Sequence, residues 1–208
     1  MANFLMSVQN QLAGTIATSA FESDFGALWF GLGEGSVNGN RIDAGAGHFL
    51  KKGDLIKLNA EAENHAIRFD LSRINSLTGS HRKMRNSAEL EIPAGPRLLR
   101  LDQVNFPTGA MAYRHVHAGA GFRVLINGEL SVISDDHTEV AKTGHVWFEP
   151  ANSPVRAVAS NTAETTRFIR FMVLPVAYEG KPSIEILSAE DALKPRLQAT
   201  HRHFDKIV

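Results

Sequence analysis

Two histidines one residue apart, His115 and His117, stand in an apolar, β-like run opened by Gly109. Residues i and i+2 of a strand send their side chains to the same face, so the two imidazoles can converge on one point. Gly109 lies six residues before the pair and Gly128 eleven after it, in the turn sequence Asn127-Gly128. Neutral imidazoles on one face are ligands for a divalent metal ion, here Fe, Mn, Ni or Zn, and two of them need a third ligand to complete a site. Glu149, directly before Pro150, is the first candidate and His145 the second. Being four residues apart, His145 and Glu149 share a face on a regular strand. The alternative is a metal-free polar pocket lined by His115 and His117, with Glu149 on the surface.

Other residues near the pair have possible roles. Tyr113 is two residues before His115 and so on its face. It is a candidate catalytic proton donor or ligand contact, against the commoner outcome of a core tyrosine. Trp147 and Phe148 are expected in the core, with Trp147 a candidate wall of a substrate pocket. His201-Arg-His203 repeats the His-x-His spacing near the C-terminus without glycine or turn context, and is expected on an edge strand. His48, His65, His81 and His137 receive no role. The nucleophile motif G-x-S-x-G and the zinc-protease motif H-E-x-x-H are both absent.

The elements that must hold these residues are mostly strands. Between residues 4 and 20, Leu5, Val8, Leu12 and Ile16 approximate one helical face and predict a short helix. Gly26 to Gly39 is glycine-rich, and Gly31-Leu-Gly-Glu-Gly35 lacks the third glycine of a phosphate loop, so turn chemistry is expected there. Strands are expected over 54–58, 65–71, 90–92, 98–106, 112–116, 122–126, 130–133, 145–148, 155–159 and 167–174, separated by Asn, Asp, Gly and Pro turns. The polar, basic stretch Asn75 to Asn86 reads as a solvated loop. Ser188-Ala-Glu-Asp191 reads as a capped short helix stopped by Pro195. Many short strands at this spacing give an all-β sandwich or barrel. The expected division is an N-terminal helix and Gly-rich extension over 1–40 and a single barrel over 41–208, with its core at about 98–175; no sequence repeat is evident.

The whole chain fits that scale. Its 208 residues are 43% hydrophobic and 21% charged, with formal net charge +0 and no cysteine. The balance favours neither nucleic acid nor an anionic membrane. The missing thiols exclude disulfides and cysteine chemistry. No run approaches the ~20 apolar residues of a membrane span, and no positive segment opens the chain as in a secretory signal. A cytoplasmic protein is expected.

Gly109, His115, His117 and Gly128 resemble the first motif of the cupin superfamily, G-x5-H-x-H-x3,4-E-x6-G, with its glutamate position at Gly121. The second motif, G-x5-P-x-G-x2-H-x3-N, is matched at Gly144 and Pro150, while Asn152, Val155 and Ala159 replace its glycine, histidine and asparagine. The segments Ala112 to His117, Gly119 to Arg123, Trp147 to Glu149 and Arg170 to Pro175 are similar to those of bacterial single-domain cupins. The resemblance implies a jelly-roll barrel in which two of four usual metal ligands remain. It also places Arg123, two residues after Gly121, inside the barrel. An inward arginine needs a counter-charge, either Glu149 or a substrate carboxylate held by both guanidinium arms. The implied function is a metal-dependent enzyme acting on a small oxygenated or carboxylated metabolite, dioxygenase-, isomerase- or lyase-like. The alternative is a non-catalytic ligand-binding or sensor cupin with a degenerate metal site. A homodimer is expected, because cupin-like barrels pair through sheet faces or exchange N-terminal strands.

Overall fold

A computed structural model describes residues 1–10, 18–58, 65–76 and 86–208, and these parts form two compact units, Met1–Gly95 and Pro96–Val208. The first unit carries β1 (Ala2–Asn10), β2 (Ser19–Ala20), β3 (Phe25–Leu32), β4 (Gly35–Val37) and β5 (Asn40–Ile42). It continues with β6 (Gly47–Lys51), β7 (Leu55–Leu58), β8 (His65–Arg73) and β9 (Ser87–Ile92). The second unit begins with β10 (Leu98–Pro107), β11 (Met111–His117), β12 (Ala120–Asn127), β13 (Glu129–Ser134) and β14 (Thr138–Lys142). After β15 (Val146–Glu149), β16 (Val155–Ala159), β17 (Thr165–Leu174) and β18 (Ile184–Ile186) come the short helix α1 (Ala189–Ala192) and β19 (Ala199–Ile207).

The second unit repeats the strand order of the first. Its sheets run β15-β12-β17-β10-β19 and β14-β13-β16-β11-β18. In the first unit they run β6-β3-β8-β1-β9 and β5-β4-β7-β2, the same order counted from each unit's opening strand except at one edge of each sheet: β9 is the ninth strand where β19 is the tenth, and among the described residues β18 has no counterpart beside β2. Neighbouring strands pair antiparallel throughout. In each unit the two sheets turn their apolar faces onto one core. Val104, Phe106, Leu125 and Phe168 meet Leu130, Val132, Val155 and Ala157 in the second. Phe30 and Leu50 meet Val37 and Ile56 in the first.

Three expectations change here. Residues 2–10 form a strand, not a helix: Phe4, Met6 and Val8 are buried at a spacing of two, and the strand pairs with β8 on one side and β9 on the other. Leu12 and Ile16, which completed the helical pattern, lie outside the described residues, as does His81 with most of the basic stretch. Gly26 and Gly31 lie inside β3 and Gly35 opens β4, while Gly33 bends the chain between β3 and β4 and Gly39, with φ +79, turns it between β4 and β5. The chain also parts near residue 95 instead of residue 40, because strands from both sides of residue 40 share the first unit's sheets.

The two barrels differ in their interiors. Gly26 of β3 and Gly121 of β12 are matched sites: a Cβ at either would strike a carbonyl oxygen of the neighbouring strand, Phe69 or Phe171. Across the sheet Gly26 pairs with Leu50, and two residues on stands Leu28, both fully buried. Gly121 pairs instead with Glu149, and two residues on stands Arg123. The first barrel is filled with hydrocarbon where the second carries charge.

Candidate functional site

A cavity of about 260 Å³ opens into the second barrel. Its charged layer follows from sheet register. Asp102 of β10 pairs with Arg170 of β17, Arg170 with Arg123 of β12, and Arg123 with Trp147 of β15. All four line the cavity, so two arginines stand side by side inside the barrel. Like charges opposite one another on paired strands repel, and each guanidinium therefore has a carboxylate. Arg170 donates from Nε and Nη2 to the two oxygens of Asp102, at 2.9 Å each. Arg123 Nη2 lies 2.7 Å from Glu149 Oε2.

The arginines differ in how completely they are satisfied. Arg100, lower in the same barrel, gives both its arms to Asp205 and to the carbonyl oxygens of Lys181 and Tyr178. It pins β19 and the 178–181 turn to β10. Arg123 is fully buried, yet only Nη1 makes a hydrogen bond, to the Gly121 carbonyl. Its Nε has no partner, and its Nη2 meets Glu149 as an ion pair too poorly aligned for a hydrogen bond. Buried donors without partners are costly, and an acceptor brought by a ligand would satisfy them. Burial pushes the Arg123 guanidinium down to about 10, against the opposing pull of Glu149. Burial acts on Arg170 too, but Asp102 outweighs it and raises that group.

His115 and His117 enter from β11, on the facing sheet. Between Ala112 and His115 the register with β16 slips, which sets Ala112 and His115 on the inner face three residues apart. His115 Nδ1 lies 2.7 Å from the Tyr113 carbonyl oxygen, which can only accept, so this nitrogen carries the hydrogen. Arg170 Nη1, which can only donate, lies 3.0 Å from His117 Nε2, so that nitrogen is the acceptor and His117 Nδ1 faces Ser183 Oγ at 3.3 Å. The two Nε2 atoms are 3.2 Å apart. Burial lowers the basicity of His115, and Arg170 and Arg123 add to it. His117 falls well below the usual imidazole range, through burial first and then through Arg170, Arg123 and His115.

No family model and no curated protein matches the chain. Solved structures do. An oxalate decarboxylase from Lactobacillus farciminis, in a formate complex, superposes with a TM-score of 0.61 at 12% identity, over 94% of this chain and 82% of that one. AerE from Microcystis aeruginosa gives 0.55 at 14%, over 84% and 88%. A cupin 2 conserved barrel domain protein from Leptotrichia buccalis gives 0.50 at 17%, over 83% and 85%. The fold is that of the cupins. As expected from the first motif, Gly128 makes the turn between β12 and β13 with φ +84. Where the second cupin motif has glycine, Asn152 adopts φ +57, a left-handed conformation that asparagine tolerates. The metal ligands that cupins resemble one another in are another matter. Gly121 cannot carry a side chain without displacing the Phe171 carbonyl, and Val155 fills the second-motif histidine position. The nitrogen of His117 that faces His115 already accepts from Arg170. Among the described residues no three of His, Asp or Glu are placed to share an ion. With two guanidinium groups beside them, the two imidazoles do not fit a resident divalent metal.

The remaining expected site residues divide cleanly. His115, His117, Arg123, Trp147 and Glu149 all line the cavity. Glu149, expected as the third metal ligand, is held instead by Arg123 and by Trp147 Nε1, which donates to Oε1 at 2.9 Å. His145 is turned to Glu139 at 3.0 Å. Tyr113 is absent from the lining: the slip in β11 breaks the two-residue alternation, and its ring lies under Lys194 Nζ at 5.6 Å. His201 and His203 meet edge to face in the edge strand β19. Sequence reading passed over Asp102, Arg170 and Ser183. A usable signal was present, since Asp102 and Arg170 are charges at the inward parity set by Val104 and Phe168.

Proposed function

We propose that the C-terminal barrel binds a small carboxylated metabolite directly on its arginines, in a site that works without a metal ion. The observation that carries this reading is Arg123, fully buried in the lining of a ligand-sized cavity with its Nε unpartnered and its Nη2 held only by a misaligned ion pair with Glu149. A carboxylate meets a guanidinium through two parallel charge-assisted hydrogen bonds, stronger than neutral ones. Charge favours the same class of ligand. Five arginines line the cavity (Arg100, Arg123, Arg170, Arg196 and Arg202) against two carboxylates, Asp102 and Glu149. The rest of the wall is largely hydrocarbon, with Val104, Leu130, Val132 and Phe168 among it, which suits a ligand with a short apolar tail. This is the ligand-binding form of the cupin reading, with the small oxygenated or carboxylated ligand retained and the metal replaced by guanidinium groups.

The first barrel supplies the test. Its matched positions are Leu28 and Leu50, so Arg123→Leu with Glu149→Leu installs in the second barrel a pair that the first already packs. Replacing a buried ion pair by hydrophobic residues is often neutral or stabilising, so the double variant is expected to fold. Isovalerate binding, measured by calorimetry, is expected to weaken about 100-fold or more, since two charge-assisted hydrogen bonds are worth about 1.5–3 kcal/mol each. A folded double variant that binds isovalerate like the wild type would overturn the proposal.

A further inference from the structure

One buried hydrogen-bond acceptor in the cavity has no donor. The Tyr113 carbonyl fixes the hydrogen of neutral His115 on Nδ1, which leaves its Nε2 bare. The nitrogen it faces at 3.2 Å, His117 Nε2, already accepts from Arg170 Nη1 and has no hydrogen to give. Both histidines line the cavity and are only 5% exposed. A second proton on His115 is opposed by burial beside Arg170 and Arg123, and the rest of the site does not fit a metal ion. What satisfies His115 Nε2 is an uncharged donor that enters with the ligand.

We infer that the ligand is a small hydroxy acid, whose hydroxyl donates to His115 Nε2 while its carboxylate sits on Arg123. The inference rests on the carboxylate reading above and narrows it to a substrate class. The two seats are neighbours in the barrel. Arg123 and Arg170 are direct cross-strand partners, and Arg170 Nη1 touches His117 Nε2, so one guanidinium separates the carboxylate seat from the hydroxyl seat. That separation suits a hydroxyl close to the carboxylate, as in an α-hydroxy acid. Arg170 itself stays bound to Asp102 and holds His117 in its accepting tautomer.

Three probes of nearly one shape test the donor. Calorimetric titration of the full-length protein would compare α-hydroxyisovalerate, isovalerate and α-methoxyisovalerate. The hydroxy acid is expected to bind about tenfold tighter than isovalerate, because the deoxy compound leaves the buried acceptor His115 Nε2 unpaired. The methoxy compound keeps the oxygen but has no hydrogen to give, and is expected to bind no tighter than isovalerate. Equal affinity for the hydroxy acid and isovalerate would overturn the hydroxyl seat and leave the carboxylate reading standing. A failure of all three to bind at millimolar concentration would overturn both.

Discussion

Replacing Glu149 by glutamine separates the two parts a carboxylate can play beside His115, His117 and Arg123. As a metal ligand its loss abolishes the site; as the counter-charge of Arg123 its loss frees the arginine. Glutamine keeps the shape and can still accept from Trp147 Nε1, so what changes is chiefly charge. Charges about 4 Å apart at an effective dielectric near 20 attract by about 4 kcal/mol, and breaking a buried pair by removing one partner costs about 3–5 kcal/mol. Glu149 keeps 15% of its side chain exposed, so the lower end, about 3 kcal/mol, is expected. Urea unfolding reads this in the second unit alone when Trp29 is replaced by phenylalanine. The chain has two tryptophans, and Trp147 is the one in that unit. The freed guanidinium then needs the ligand more. Isovalerate is expected to bind about tenfold tighter, a gain of about 1.4 kcal/mol, comparable to one charge-assisted hydrogen bond. A Glu149→Gln protein with unchanged stability, or with weaker isovalerate binding, would refute the assignment of Glu149 as counter-ion.

Asp102→Asn leaves Arg170 buried beside Arg123 without its carboxylate, and is expected to cost about 3–5 kcal/mol in the same urea assay; a loss under 1 kcal/mol would show that Asp102 is not the partner that holds Arg170. Gly121→Glu restores the glutamate position of the first cupin motif in sequence but meets the Phe171 carbonyl, so destabilisation without gain of a bound metal is expected by unfolding and elemental analysis. Acid should weaken the second barrel through its histidines. His115 and His117 both have lowered values in the folded protein, so their contribution is complete above about pH 6.5, the unfolded value, and is lost as pH falls from there toward the folded values. His115→Phe with His117→Phe is expected to flatten that part of the stability profile, and an unaltered slope between pH 6.5 and 5 would contradict the neutral assignment.

The second barrel was legible in the sequence because its strands alternate strongly and its turns carry Asn, Asp, Gly or Pro. The first was not. Leu5 and Val8 fit a helical stripe as readily as Phe4, Met6 and Val8 fit a strand, and pairing with β8 and β9 decided between them. The repetition of strand order is also invisible in sequence, since matched positions carry unlike residues, Leu28 for Arg123 and Leu50 for Glu149. At the site, His115 and His117 were found from parity and spacing, Glu149 from its place beside Pro150, and Arg123 from the resemblance to the first cupin motif. Tyr113 was misplaced because a one-residue slip in β11 reverses the side on which its ring falls. Whether Glu149 binds a metal or an arginine is a matter of distance across strands, which no spacing along the chain encodes.

The central claim, that carboxylates bind here on arginine and not through a metal, is tested most directly by titrating isovalerate into chelator-treated protein. Its metal content would be measured on the same sample and compared with protein reconstituted with Fe, Mn, Ni or Zn. The predicted result is the same affinity in every sample, with far less than one metal ion per chain after treatment. Binding that appears only after one of these metals is restored, at close to one ion per chain, would contradict the account.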